Sequence, residues 1–122
     1  MSKRILVVED QEDNRRIMRD LLVASGYELI EATTGEEGLA FAERERPDLI
    51  LMDIQLPGLD GYEVTRRIKA NPALKHIPII AVTSYALSGD DQKAFAAGCD
   101  GYVTKPFSPR QLLAKIREYL PE

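Results

Sequence analysis

The chain has 122 residues, room for one domain of roughly 100–200 residues and not for two. Apolar residues at 44% and charged residues at 30% are ordinary for a globular protein, while 16 basic against 20 acidic residues, net −4, argue against a binder that works by neutralising nucleic-acid phosphates. One cysteine and one histidine exclude an internal disulfide framework, a zinc site built on cysteine pairs and a multi-histidine metal site.

The N-terminus, Met1-Ser2-Lys3-Arg4, is followed by only four apolar residues, Ile5-Leu6-Val7-Val8, before Glu9. That is too short for the apolar core of a signal peptide, and no run of 18 apolar residues follows, so a cytoplasmic protein without a membrane span is expected. The four-residue run itself reads as a strand buried on both faces. Ile17, Leu21 and Ala24, with Met18 and Leu22 beside them, have helical spacing up to Gly26. Tyr27 to Ala32 alternates and carries Glu28 and Glu31, which suits a strand at a sheet edge. Thr34-Gly-Glu-Glu37 has capping-box spacing and opens a second helix through about Glu45, with Pro47 beyond it.

Leu49-Ile50-Leu51-Met52 is a third strand, stopped by Asp53, and Pro57-Gly58 is a turn signal. Asp60 can cap a third helix with Val64 and Ile68 on one face, before the break at Asn71-Pro72. Ile77 to Val82 reads as a fourth strand, with Pro78 tolerated at its start. Ser88-Gly-Asp-Asp91 can cap a helix through Ala97, ended by Gly98. Tyr102-Val103-Thr104 is the fifth strand. In the last helix Ser108 is the N-cap, Pro109 the first helical residue and Gln111 the third, and Leu112, Ile116 and Leu120 form its apolar stripe with Leu113 alongside. Strand and helix therefore alternate as (βα)5. Right-handed crossovers make this a doubly wound parallel α/β sheet with helices on both faces, one domain over residues 1–122.

Ligands of such a sheet bind outside the carboxyl ends of the strands. Standing there are Glu9 and Asp10 after strand one, Asp53 after strand three, Thr83 and Ser84 after strand four, and Lys105-Pro106 after strand five. Three converging carboxylates repel, so at least one should titrate high unless a cation neutralises them. An all-oxygen donor set suits Mg²⁺ and not zinc or copper. A carboxylate, a hydroxyl and a lysine around Mg²⁺ are equipment for phosphoryl transfer, with Asp53 as the nucleophile.

The order Glu9-Asp10, Asp53 with Pro57-Gly58 after it, Thr83, then Lys105-Pro106 resembles the receiver domain of bacterial response regulators, over residues about 3–120. The resemblance implies the flavodoxin-like strand order 2-1-3-4-5 of the chemotaxis receiver. It implies that Asp53 accepts a phosphoryl group from a phosphohistidine on a sensor histidine kinase or histidine phosphotransferase. Asp10 would ligate Mg²⁺ directly, Glu9 through water, and the Gln55 backbone carbonyl would complete the protein's share. Thr83 and Lys105 would bind phosphoryl oxygens, Tyr102 would be the aromatic switch, and Lys105-Pro106 a cis bond. Gln55 and Tyr85 would flank the phosphoryl group and tune hydrolysis. Activation would change the face made by the fourth helix, fifth strand and fifth helix, for a downstream protein target or a second copy of the chain. Neither nucleic acid nor membrane is expected as a direct partner. Met52-Asp-Ile-Gln-Leu-Pro57, Ala81-Val-Thr83, Gly98-Cys99 and Glu9-Asp10 with Asn14 are similar to single-domain regulators of the DivK type.

Among other residues, Cys99 is expected to be a small buried hydrophobe and His76 to be solvated. Glu43-Arg-Glu-Arg46 should form a solvated helix face. Arg15-Arg16 should likewise form a solvated helix face, although Asn14, Arg15 and Arg16 lie beside the acidic pocket, where they could meet a kinase. Two rival functions remain at this stage. An aspartyl phosphohydrolase would place a second acid two residues after the nucleophile, where Gln55 stands. A flavin binder would need a Ser/Thr/Gly-rich loop where Glu9-Asp10-Gln11-Glu12-Asp13 stands. A binding module that works without phosphorylation is the third alternative.

Overall fold

Strands and helices alternate along the computed structural model, which describes residues 3–56, 58–83, 90–105 and 108–120, without the side chains of Asp90 and Asp91. The order is β1 (Arg4–Val8), α1 (Glu12–Ala24), β2 (Glu28–Ala32), α2 (Gly35–Glu45), β3 (Leu49–Asp53), α3 (Gly61–Ala70), β4 (Ile79–Thr83), α4 (Asp90–Ala97), β5 (Gly101–Thr104) and α5 (Pro109–Tyr119). All strand pairs are parallel, as the (βα)5 pattern predicts, and the sheet order is β2-β1-β3-β4-β5, as the receiver resemblance implies. β2 lies at an edge, in keeping with its two glutamates. Pro78 precedes β4 instead of opening it, and its carbonyl accepts from Ile50 N.

Successive side chains of a strand point to opposite faces, which splits the core in two. Leu6, Val8, Ile50, Met52, Ile79 and Ala81 face Val64 and Ile68 of α3 and Ala94 of α4. Ile5, Val7, Leu49, Leu51, Ile80 and Val82 face Met18 and Leu22 of α1 and Leu112 and Ile116 of α5. Removing one such fully buried aliphatic side chain to alanine costs about 2–5 kcal/mol.

α1 presents a different stripe from the one expected. Met18 and Leu22 are buried, whereas Ile17 is 57% exposed. Two overlapping apolar stripes were available on this helix, and the sheet covers only the one that faces β1 and β3.

The helix starts follow their caps. Thr34, Asp60 and Ser108 accept from the backbone N–H three residues on, and only Ser108 with Gln111 forms the reciprocal box. At α2 the Glu37 carboxylate instead accepts from the N–H and hydroxyl of Thr33, one residue earlier than the box requires. The region Glu43–Arg46 is less uniformly solvated than expected. Arg4 reaches the Glu45 carboxylate and backbone carbonyl, and Arg46 closes α2 in the left-handed conformation at φ 46°.

Candidate metal and phosphoryl site

The chain reverses its winding direction between β1 and β3, neighbours at the centre of the sheet. Residues leaving the carboxyl ends of β1 and β3 therefore stand side by side. Glu9 N donates to Ala32 O at 3.0 Å, which extends the β1–β2 ladder and fixes the Glu9 backbone. Asp53 is the last residue of β3 and Ile54 N donates to Val82 O. α3 begins directly against this corner: a Cβ at position 61 would run into the Asp53 carbonyl oxygen and Ile54 Cα, so only glycine lets the helix approach. Thr83 ends β4, and its carbonyl accepts from Lys105 N at 2.6 Å, which places Lys105 beyond the end of β5.

Glu9, Asp10 and Asp53 each offer a carboxylate oxygen, all within 4.8 Å of one another. Glu9 and Asp53 are buried and Asp10 is half-buried. Lys105 Nζ donates to Glu9 Oε1 at 2.7 Å and stands 3.6 Å from Asp53 Oδ2. Gln55 N donates to Asp53 Oδ1 at 3.0 Å and Gln11 N to Glu9 Oε2 at 3.2 Å. Burial raises the Glu9 carboxyl above its ordinary range, and its hydrogen bond with Asp53 adds to this against the opposing pull of Lys105. The pocket thus crowds three acids against one ammonium, as expected from the sequence. Its donors are oxygens, the set that suits a hard divalent cation. The pocket could bind a metal ion.

The structure brings Glu9, Asp10, Asp53, Gln55, Thr83 and Lys105 to one end of the sheet. Thr83 is buried. Tyr102 sits on β5 and is half-buried, lining an open groove of about 350 Å³ with Thr104, Gln111, Ala114, Lys115 and Glu118. Pro106, Tyr85, Ser84, Ser88 and Pro57 lie outside the described residues, and so do the expected cis bond and the hydrolysis-tuning place of Tyr85. His76 is exposed and Cys99 buried, as expected.

Arg15 departs from expectation. Its side chain is 14% exposed and turned inward, not out toward a partner. Its Nη1 donates to the backbone carbonyls of Glu9 at 3.0 Å and Asp10 at 3.2 Å. The available signal was its spacing, five and six residues after two loop carbonyls at a helix start, but Arg16 beside it was an equal candidate.

Known proteins share both sequence and geometry with this chain. The profile of the response regulator receiver domain matches residues 5–117. The polar-differentiation response regulator DivK of Brucella anthropi is 48% identical over 120 residues, 98% of each chain. The receiver domain of the sensor histidine kinase PA1611 from Pseudomonas aeruginosa, solved with a magnesium ion coordinated in its active-site cleft, superposes with a TM-score of 0.92 at 37% identity, covering all of both chains. The phosphorylated cyanobacterial phytochrome response regulator RcpA superposes at 0.86 with 30% identity, over 99% of this chain and 96% of that one. This protein belongs to the response regulator receiver family of two-component signalling.

Proposed function

We propose that the chain is a phosphorylation-driven switch in which Asp53 takes a phosphoryl group from a phosphohistidine and Mg²⁺ is held by Asp10, Asp53 and the Gln55 carbonyl, with Glu9 acting through water. The observation that carries this reading is the meeting of Glu9, Asp10 and Asp53 within 4.8 Å beside Lys105. The magnesium ion reported for the PA1611 receiver and the phosphorylated state of RcpA support it by similarity.

The bound cation would neutralise the crowded acids and the negative charge of the incoming phosphoryl group. The chain's own residues do the rest. Gln55 N–H fixes the rotation of the Asp53 carboxylate. One Asp53 oxygen attacks phosphorus, a P–O bond forms and the P–N bond to histidine breaks; the donor imidazole, already protonated on its other ring nitrogen, takes the electron pair of the broken bond and leaves as neutral histidine. Lys105, already 3.6 Å from Asp53, turns to the transferred oxygens, and the Thr83 hydroxyl donates to another. The pairing of Thr83 with Lys105 through backbone lets the shift reach β5 and Tyr102. The face of α4, β5 and α5 then changes its affinity for a protein target or a second copy. The donor is a sensor histidine kinase or a histidine phosphotransferase. We place its work in the cytoplasm; residues 1–122 form one receiver domain, and the chemistry this domain promotes is its own phosphorylation and dephosphorylation. Among the described residues no helix is long and apolar enough to cross a membrane.

Intact mass after incubation with phosphoramidate, with and without Mg²⁺, tests this reading on wild type and Asp53→Asn. One Mg²⁺-dependent phosphoryl adduct, lost in Asp53→Asn, is the expected result. No adduct together with no Mg²⁺-dependent binding of beryllofluoride overturns it in favour of a binding-only module.

A further inference from the structure

α1 starts without a side-chain cap: Gln11 stands at the N-cap position and its side chain makes no capping hydrogen bond. The loop Glu9-Asp10-Gln11 is nevertheless held, from the other side, by Arg15. One guanidinium nitrogen takes the carbonyls of both Glu9 and Asp10. The Asp10 carbonyl and the Gln11 N–H belong to one planar trans peptide and point in opposite directions. With the carbonyl held by Arg15, the N–H is aimed back at Glu9, where it meets Oε2 at 3.2 Å.

Arg15 is itself held. Its Nε lies 3.7 Å from Glu31 Oε1 on the edge strand β2. Arg19 grips the same carboxylate with two hydrogen bonds of 2.8 Å. A continuous path therefore runs from Arg19 through Glu31 and Arg15 to the Gln11 peptide and the Glu9 carboxylate.

Charge alone does not account for this arrangement. A guanidinium beside a cation site opposes the cation. What Arg15 offers the pocket is geometry, set by a planar fork that can hold two carbonyls and a carboxylate at once. We propose that Arg15 is a positioning residue of the acidic pocket, which orients the Gln11 peptide so that Glu9 and Asp10 are presented correctly for Mg²⁺, and that Glu31 anchors it. The proposal rests on the reading of this pocket as the Mg²⁺ site.

Charge and geometry predict opposite signs. If Arg15 acts only as a charge, Arg15→Ala tightens Mg²⁺ binding. If it positions the loop, Arg15→Ala weakens Mg²⁺ binding about tenfold, the usual scale for a residue that orients a metal ligand. The experiment measures Mg²⁺ affinity by calorimetry and the Gln11 amide proton shift by NMR in the metal-free protein. It uses wild type, Arg15→Ala, Arg15→Lys and Glu31→Gln, each checked by thermal melting.

Arg15→Ala is expected to move the Gln11 amide proton upfield and weaken Mg²⁺ binding. Arg15→Lys should recover part of both, and Glu31→Gln should show a smaller loss of the same sign. Should Arg15→Ala fail to fold, Glu31→Gln carries the same comparison with the pocket side chains untouched. An unmoved Gln11 amide, or Mg²⁺ binding that is unchanged or tighter in the folded variants, overturns the positioning role. Wild type that binds no Mg²⁺ at all overturns the reading of the pocket instead.

Discussion

Lys105 and Glu9 are joined by a 2.7 Å hydrogen bond across 96 positions of sequence, and the same ammonium stands 3.6 Å from Asp53. The lysine is thus the pocket's own cation, set closer to the buried Glu9 than to the proposed phosphoryl acceptor. A divalent ion bound as proposed would compete with it for the same carboxylates and release the ammonium toward a phosphoryl oxygen.

That competition predicts a split effect for Lys105→Met. Mg²⁺ should bind at least as tightly as in wild type, since a neighbouring positive charge is gone. Phosphorylation by phosphoramidate at saturating Mg²⁺ should slow on the order of a hundredfold, the scale of one lost transition-state donor. Calorimetry and adduct formation read the two separately. Weaker Mg²⁺ binding would show that Lys105 organises the carboxylates more than it opposes the ion.

Asp53→Asn removes one negative charge from a crowded buried site. The metal-free variant should be more stable than wild type by about 1 kcal/mol, because the burial and like-charge effects that raise Glu9 are partly relieved. Wild type should gain about 1.4 kcal/mol at a Mg²⁺ concentration ten times its dissociation constant, a gain that Asp53→Asn largely loses. Urea unfolding with and without Mg²⁺ checks both, and an equal Mg²⁺ gain in the two proteins would count against Asp53 as a ligand.

At the opposite end of the sheet Asp100 accepts from Ile79 N and from Lys69 Nζ, both at 2.9 Å. Lys69 also donates to the carbonyls of Lys75 and Ile77, so one pair ties α3, the approach to β4 and the turn before β5 together. Asp100→Ala leaves the N–H at the start of β4 without its acceptor. It should cost about 2 kcal/mol of stability, the scale of an unsatisfied buried donor. It should leave phosphorylation near wild type, since Asp100 lies far along the sheet from Asp53. A urea midpoint indistinguishable from wild type would mean that water replaces the carboxylate freely.

Cys99 is buried against Thr65, whose hydroxyl lies 3.8 Å from its sulfur. Burial pushes the thiol up from 9.0 to about 11. A pKa raised in the folded state contributes stability that is complete below the unfolded value and is lost as pH climbs through the folded one. Unfolding free energy should therefore fall by about 2 kcal/mol between pH 9 and 11 through this group alone. The difference between wild type and Cys99→Ala across that range isolates it. Parallel pH curves for the two proteins would remove Cys99 from the account.

Much of this molecule is written in local patterns. Four-residue apolar runs at 5–8 and 49–52, bounded by acids and a proline, read as strands buried on both faces, and the glutamates of 28 and 31 suit an edge. Thr34, Asp60 and Ser108 cap helices because an orphan backbone N–H three residues on needs an acceptor, whatever the rest of the chain does. The site was legible for the same reason. Acids that end buried parallel strands stand together at the carboxyl end of the sheet once the winding order is known, and Glu9, Asp10 and Asp53 meet there.

What tertiary structure alone decided are choices between neighbours with equal local claims. α1 carried two apolar stripes, and the sheet buried Met18 and Leu22 while leaving Ile17 in solvent. Arg15 and Arg16 were interchangeable in sequence, but only one lies on the flank of α1 that looks at Glu31 and the loop carbonyls. The Glu37 carboxylate turned to the N–H and hydroxyl of Thr33 and not to the N–H of Thr34. Lys105 could have met any of three carboxylates and took Glu9. Spacing along a helix or strand sets which side chains share a face. Which partner each one takes depends on how three elements far apart in sequence are placed in space, at a precision of an ångström that no local pattern carries.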